Sequence, residues 1–497
     1  MKQEIAVCQQ ANKPSIAIID IGSNSIRLII FSGLSRVPGV LLNKKAFCEL
    51  GKNLQKTGVL NQEKIDEALK TLEYFVWLAR NISVEKIILL ATAAIRDARN
   101  GRDFVQQVEQ KLNVKIKILS GNEEATYSSM GVVNSILATD GIVGDLGGGS
   151  LELVSTEVLS DKTITMPVGP LRLQNVFEEN GLSGVRNFIE SQFKNVNWIS
   201  PLLYGKNFYA VGGSWRLIAR LHVHLTNYPV KIIHQYKIAA DEIASFCEKV
   251  VGGIDKIAEK YNIPDHRMVG LPMAALTMLA VIKWLKPKFV EFSASGLREG
   301  CYYSLLPKET TFEDPLLSYA KKFDENGRFK QQGETFYQWL LPLIQDRLTK
   351  NSKRLLEASC YLADFGWDDH ADYPETSRFE RILHLPVVGI SHEERIALAL
   401  IDYYRQKDDF KADQYKHYHK LLPDSLRTEC YVIGLSLNLA DFISGGINRI
   451  LTDTYIQRSK YALTINLPKE FPVEFKKKIN KTLKSLVKEL EVEIHLV

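Results

Sequence analysis

Two short acidic turns, roughly 120 residues apart, carry the residue types from which a phosphate site can be built. One reads Asp20-Ile21-Gly22-Ser23-Asn24-Ser25 and the other Asp145-Leu146-Gly147-Gly148-Gly149-Ser150. In each, a carboxylate ends an apolar run, and small residues follow whose backbone N–H groups can close around phosphate oxygens. One Asp-x-Gly turn would mean little by itself. Two copies, each opening a half-domain, point to a duplicated fold that grips a phosphate and its metal from both sides.

Each turn needs a hairpin to hold it. Ser15–Ile19 and Ile26–Phe31 flank the first turn, Gly141–Val143 and Leu151–Val154 the second, so each acid sits at a hairpin mouth. Between the hairpins, Ile65, Leu69, Leu72, Phe75, Val76 and Leu78 recur at helical spacing, with Asn61 as the cap of a helix ending near Asn81. A strand over Lys86–Leu90 runs into Ala91–Asp97, a helix carries Phe104, Val105, Val108 and Leu112, and Val114–Leu119 is a further strand. The next helix opens at Glu123-Glu124-Ala125 and runs to about Ala138. This alternation predicts an α/β half with a mixed sheet.

The second half repeats the theme, with strands to about Met166, a helix near Val185–Phe193, and a strand Asn207–Val211 ending in Gly212-Gly213-Ser214. Helices over Trp215–Leu225 and near Met268–Trp284 follow, and a strand Lys288–Phe292 leads into Ser293–Gly300. Beyond about Pro307, helical periodicity runs from Leu316 to Leu451. Tyr461–Leu467, a Lys-rich helix to Leu490, and Val492–Val497 then read as β–α–β.

Composition narrows the class. The chain has 497 residues, too many for one core, with 45% hydrophobic and 24% charged residues, as in ordinary globular proteins. A net charge of +5 fits a local anion groove and is too mild for a duplex-coating protein, so no specific nucleic-acid partner is expected. Cys8, Cys48, Cys247, Cys301, Cys360 and Cys430 show no CxxC spacing and read as reduced thiols of a cytoplasmic protein. Met1-Lys2-Gln3-Glu4 opens no signal peptide. The apolar run Met268–Ile282 contains Pro272 and is too short to span a bilayer, so a buried helix is expected and no membrane span.

Seven motifs occur in a fixed order. They are Asp20-x-Gly22-Ser23-Asn24-Ser25, Thr92-x-x-x-Arg96, Ser120-Gly121-x-Glu123-Glu124-Ala125, Asp145-x-Gly147-Gly148-Gly149-Ser150, Pro167-x-Gly169 with Arg172-Leu173, Gly212-Gly213-Ser214, and Gly296-Leu297-Arg298-Glu299-Gly300. Together they resemble the exopolyphosphatase / guanosine pentaphosphate phosphohydrolase family, a branch of the actin-like, sugar-kinase-like ATPase superfamily. The resemblance covers residues 15 to about 305. It implies an α/β fold of duplicated actin-like (ribonuclease H-like) halves, 1–138 and 139–306. A mainly helical HD-like domain at 307–455 and a small α+β lobe at 456–497 complete the expected architecture.

The implied activity is hydrolysis of the terminal phosphoanhydride of inorganic polyphosphate, an exopolyphosphatase reaction. The alternatives are removal of the 5′ γ-phosphate of guanosine pentaphosphate (pppGpp), or non-catalytic sensing of polyphosphate or of the alarmones pppGpp and ppGpp. Phosphoryl transfer needs charge neutralisation and a positioned water. Asp20 and Asp145, facing across the cleft, suit Mg²⁺ (or Mn²⁺), with Glu152 a third carboxylate on the strand leaving its loop. The family's catalytic Glu falls on Glu124, the expected general base, rather than on Glu123; alone, both read as first-turn acids favoured by the helix dipole. Phosphate contacts are expected from Gly22, Ser23, Asn24, Ser25, Arg96, Gly147, Gly148, Gly149, Ser150, Gly213 and Ser214. Arg298 and Glu299 read as an internal ion pair fixing their turn.

Some positions depart from the family's pattern. Ala294-Ser295 stand where an acid often precedes the last motif, and Leu151 replaces a common Thr. In the helical part, Ala363 precedes Asp364 where an active HD enzyme would carry His, and His370, His384 and His392 are scattered, as expected of helix surfaces. That domain reads as a metal-free relic. The resemblance also implies a homodimer paired through the helical half. A sugar kinase is disfavoured, because a kinase excludes water and has no use for a water-activating acid.

Overall fold

The computed structural model describes residues 15–156, 163–194, 196, 204–253, 268, 270–329, 331–367, 369, 375–411, 413–459 and 462–497. Cys8 and His370 lie outside the described residues. The chain divides into two compact units, Met1–Phe312 and Glu313–Val497.

The first unit is built twice. Strands β1 (Ile16–Ile21), β2 (Ser25–Phe31), β3 (Val40–Phe47), β4 (Lys86–Ala91) and β5 (Ile116–Ile118) form a sheet of order β3-β2-β1-β4-β5. Strands β6 (Gly141–Leu146), β7 (Leu151–Ser155), β8 (Thr163–Met166), β9 (Asn207–Val211), β10 (Tyr236–Ala239) and β11 (Phe289–Phe292) form a sheet of order β10-β11-β9-β6-β7-β8. Each hairpin, β1–β2 or β6–β7, is antiparallel and takes a parallel neighbour, β4 or β9, on its first strand. The second sheet adds β10 antiparallel at its edge. These are the duplicated actin-like halves.

The apolar periods explain the layers. Ile19, Ile21, Ile26, Leu28 and Ile30 face Leu69, Leu72, Phe75 and Val76 of the helix Gln62–Asn81. Asn61 caps that helix by accepting from the N–H groups of Glu63 and Lys64. The helix Gly121–Ser135 follows the first half in sequence yet buries Ala125 and Val132 against Val143, Val154 and Val211 of the second sheet. That packing is what aims Glu124 at the second hairpin.

Some elements were invisible in the pattern. β3 is largely exposed and lacks an apolar alternation, so its edge position comes from pairing with β2. The helix expected near Val185–Phe193 begins at Pro170, and Gly181 at φ 64° breaks it, which hid its first part. Strand β10 and the helix Ala240–Val251 were also unforeseen. The apolar helix Leu271–Leu285 is buried, and among the described residues no helix is long and apolar enough to cross a membrane.

The second unit is mainly helical. Its last sheet, β12 (Tyr455–Arg458), β13 (Ala462–Asn466) and β14 (Glu493–Leu496), pairs β13 and β14 in parallel around the helix Val473–Leu490, and adds β12 antiparallel. Asp364 accepts from Arg328 at 3.2 Å and from the Phe329 N–H at 3.3 Å, tying its turn to the segment around Arg328. His384 lies at the surface. His392, expected there too, is 5% exposed, because the capped helix start at Ser391 turns it inward.

Candidate active site

The two acidic turns close in the same way. The Gly22 N–H donates to the Ser25 carbonyl at 3.1 Å, and the Gly147 N–H to the Ser150 carbonyl at 3.0 Å. Both N–H groups are thus engaged within their turns, and the remaining small residues face the opening. A cleft of about 430 Å³ lies between the turns, lined by Asp20, Gly22, Ser23, Asn24, Ser25, Glu124, Asp145, Gly147, Gly148, Gly149, Ser150, Gly213 and Ser214. At its side, Gly212 holds φ 119°, and a Cβ there would sit 2.4 Å from the Leu146 carbonyl oxygen; glycine alone suits that approach. Two expected residues sit behind the lining. Glu152 is buried opposite Asp145 on β7, and Arg96 reaches Glu124 from the far side.

Glu123 and Glu124 part company at the helix start. Glu123 forms a capping box: its carboxylate accepts from the Ser120 N–H at 3.0 Å, and Ser120 Oγ accepts from the Glu123 N–H at 3.2 Å. Lys117 pairs with it at 2.7 Å, and these contacts, Lys117 foremost, hold its carboxyl down to about 2. Glu124 turns inward and accepts from Arg96 Nη1 at 3.1 Å. Burial, then the charge of Asp145, push its carboxyl up to about 7 against the pull of Arg96.

The other acids share this environment. Burial raises Asp145, which accepts from Ser128 Oγ one helical turn beyond Glu124. Burial likewise raises Asp20, with the opposite-strand Arg27 pulling the other way. Glu152 is raised by burial and then by Glu124; its Oε1 accepts from Ser150 Oγ at 2.6 Å. Its Oε2 is buried with no hydrogen-bond partner among the described residues.

That orphaned oxygen, inside a cluster of buried carboxylates, fits a divalent cation better than it fits an empty interior. Among the described residues, no three His, Cys, Asp or Glu side chains form a ready-made metal cage. Mg²⁺ is held by one or two carboxylates and completes its shell with waters and phosphate oxygens. Asp20, Asp145 and Glu152 are the residues available to hold it.

Comparison with known proteins gives the family. Residues 29–309 match the model of the Ppx/GppA phosphatase family. The chain belongs to that family. Residues 339–494 match the model described as exopolyphosphatase, C-terminal. Retrograde regulation protein 2 of Saccharomyces cerevisiae is 27% identical over 411 residues, covering 75% of this chain and 68% of the yeast protein. The guanosine-5′-triphosphate,3′-diphosphate pyrophosphatase of Vibrio vulnificus is 25% identical over 422 residues, covering 79% and 81%. Among solved structures, the Aquifex aeolicus Ppx/GppA member superposes with a TM-score of 0.50 at 23% identity, over 59% of this chain and 97% of that one. An exopolyphosphatase-like protein gives 0.52 at 21% identity, over 59% and 97%. At such identities these structures bear on the fold alone.

In this family member several cleft residues escaped the sequence reading. Arg27 lies opposite Asp20 in the hairpin register and lines the cleft; a cation between Ile26 and Leu28 of an apolar strand was the available signal. Arg216, whose Nη1 donates to the Ala294 carbonyl at 2.8 Å, is held down to about 10 by burial and then by Arg27. An arginine in the first turn of a helix opposes the dipole, and that mismatch could have marked it. Lys45 and Phe47 reach the cleft from β3, with Lys45 Nζ 4.0 Å from the Phe47 ring centroid. Arg298 pairs with Glu299 at 3.6 Å, and both also line the cleft.

Proposed function

We propose that this phosphatase is an exopolyphosphatase, hydrolysing the terminal phosphoanhydride of inorganic polyphosphate. The observation that carries this reading is Glu124: a carboxylate at the cleft with a carboxyl near 7, oriented by Arg96 and separated in role from its neighbour Glu123. A group of that acidity is half ionised at neutral pH, where a general base works best.

The terminal phosphate lies between the two hairpin turns, held by Ser23–Ser25 and Gly148–Ser150 with Gly213 and Ser214 at the side. Glu124 orients a water in line with the terminal phosphorus and takes its proton. The water oxygen bonds to phosphorus as the bridging P–O bond breaks, and the shortened chain leaves with the charge on its new terminal oxygen. Arg27 and Arg216 supply fixed positive charge beside the chain, and Arg96 holds Glu124 in place. Bound Mg²⁺ or Mn²⁺ would neutralise phosphate charge from the side of Asp20, Asp145 and Glu152.

A second substrate, guanosine pentaphosphate, is favoured by one feature. Phe47 is 37% exposed at the cleft, where an inorganic chain has no use for an aromatic face but a nucleobase does. The name of the Vibrio relative points the same way. Phosphate release from long polyphosphate, tripolyphosphate and guanosine pentaphosphate, each with Mg²⁺ or Mn²⁺, tests both readings. Release from none of them would leave a binding protein that senses these anions. The finer division of the chain at residues 138, 306 and 455, a homodimer, and a cytoplasmic location belong to the same proposal. Sedimentation of the purified chain tests the dimer.

A further inference from the structure

The Glu124–Arg96 contact has a second side. The Arg96 side chain lines a separate, solvent-open cavity of about 310 Å³, together with Asp97, Ser150, Thr165 and Arg172. Ser150 lines both this cavity and the substrate cleft. Arg96 therefore reaches from one space to the carboxylate that faces the other.

The cavity favours an anion. Arg96 Nε lies 3.4 Å from Asp97 Oδ1, and Arg172 Nη2 lies 3.7 Å from Asp97 Oδ2, so one carboxylate serves two guanidiniums. The Gln55 carboxamide also faces Arg172. The Arg96 and Arg172 side chains are 23% and 29% exposed, partly desolvated forks that share the Asp97 carboxylate, with Glu124 as a second partner of Arg96. A Cβ on Gly121 in the wall would sit 2.1 Å from Thr165 Oγ1, so the bare glycine keeps that hydroxyl in place. A water's liquid share is about 30 Å³, so the space holds an orthophosphate with some of its hydration.

Hydrolysis leaves two anions in one cleft. In the hydrolase reading above, the orthophosphate forms beside Glu124 while the turns and arginines of the cleft still hold the shortened chain. Departure through the cleft would then compete with that chain. We propose that the cavity at Arg96 and Arg172 is an orthophosphate site that takes the released product while the shortened chain stays bound. Passage parts the Arg96–Glu124 contact, as Arg96 exchanges the carboxylate for the phosphate. No bond is made or broken in this step. The inference rests on the hydrolase reading above.

The test is product inhibition with inorganic phosphate. Phosphate is expected to lower kcat for polyphosphate with KM unchanged, because it binds beside the chain and not in its place. Arg172→Gln should raise the inhibitory phosphate concentration about tenfold, the loss of one charged hydrogen bond. Thr165→Val, which keeps side-chain volume, should raise it a few-fold. Competitive inhibition of the unaltered protein, or an unchanged inhibitory concentration in both variants, would overturn the proposal. Should the unaltered protein release phosphate from no substrate, the hydrolase reading fails separately. Calorimetric titration of inorganic phosphate into the unaltered and Arg172→Gln proteins then decides the site, weaker binding in the variant supporting it and equal binding refuting it.

Discussion

Replacing Glu124 by Gln separates chemistry from architecture at one position. The amide keeps the shape and can still accept from Arg96, but it cannot take a proton from water. Loss of a positioned general base costs on the order of 10²–10⁴ in rate, or about 3–5 kcal/mol of barrier. The fold should not suffer, because the carboxyl sits in a cluster where burial and Asp145 already oppose its charge. A melting temperature equal to or above that of the unaltered protein is therefore expected. The pH profile adds a second reading. With its carboxyl near 7, Glu124 is protonated below that pH, so kcat should fall about tenfold per unit on the acid side. Glu124→Gln should erase that limb along with the rate. Glu123→Gln removes an acid already committed to Ser120 and Lys117, and should keep the rate within a few-fold. Phosphate release between pH 5 and 9, with thermal melts of both variants, checks the whole argument. Equal rates in the two variants, or an acid limb that persists in Glu124→Gln, would refute the assignment.

Asp20→Asn and Asp145→Asn are expected to raise the Mg²⁺ concentration for half-maximal activity by at least about tenfold, without lowering the melting temperature, since each removes a charge that burial opposes. Unchanged metal dependence in both would take them out of the metal site. Phe47→Ala should raise KM for guanosine pentaphosphate about tenfold, within the range of one stacked base, and leave tripolyphosphate alone; equal effects on both would remove the nucleobase role. Gly212→Ala forces a side chain into φ 119° against the Leu146 carbonyl and should destabilise by more than about 1 kcal/mol in a denaturant melt. Glu123, held near 2 against an ordinary 4.5, stabilises the helix start above pH 4.5 and loses that contribution as pH falls towards 2. At 42% side-chain exposure the effect stays below about 1 kcal/mol, read as the difference in acid melts between the unaltered and Glu123→Gln proteins.

What could be read in advance follows from how far each signal travels along the chain. The hairpins were legible because their acids, glycines and flanking apolar runs are contiguous, and Asn61 announced its helix because a cap acts within one turn. β3 was not legible, since nothing in its own residues makes it a strand; Ser25 to Phe31 supply its partner. The arginines show the same limit. Arg27 comes from a strand of the first half and Arg216 from a helix of the second, and their shared place beside Asp20 and Asp145 exists only after both halves have formed. The charge balance then explains their presence. Asp20, Glu124, Asp145, Glu152 and Glu299 place five carboxylates near one another, and Arg27, Arg96, Arg216 and Arg298 answer with four guanidiniums. Lys45 and Lys52 against Glu49 add one further positive charge at the lining, so with every group ionised the cleft is balanced, and a divalent cation would add the positive charge that a polyanion needs. Burial raises the carboxyls of Asp20, Glu124, Asp145 and Glu152, and a bound divalent cation would offset that cost. Metal and substrate should bind in that order or together, and a titration of polyphosphate into metal-free protein should show weak binding that Mg²⁺ restores.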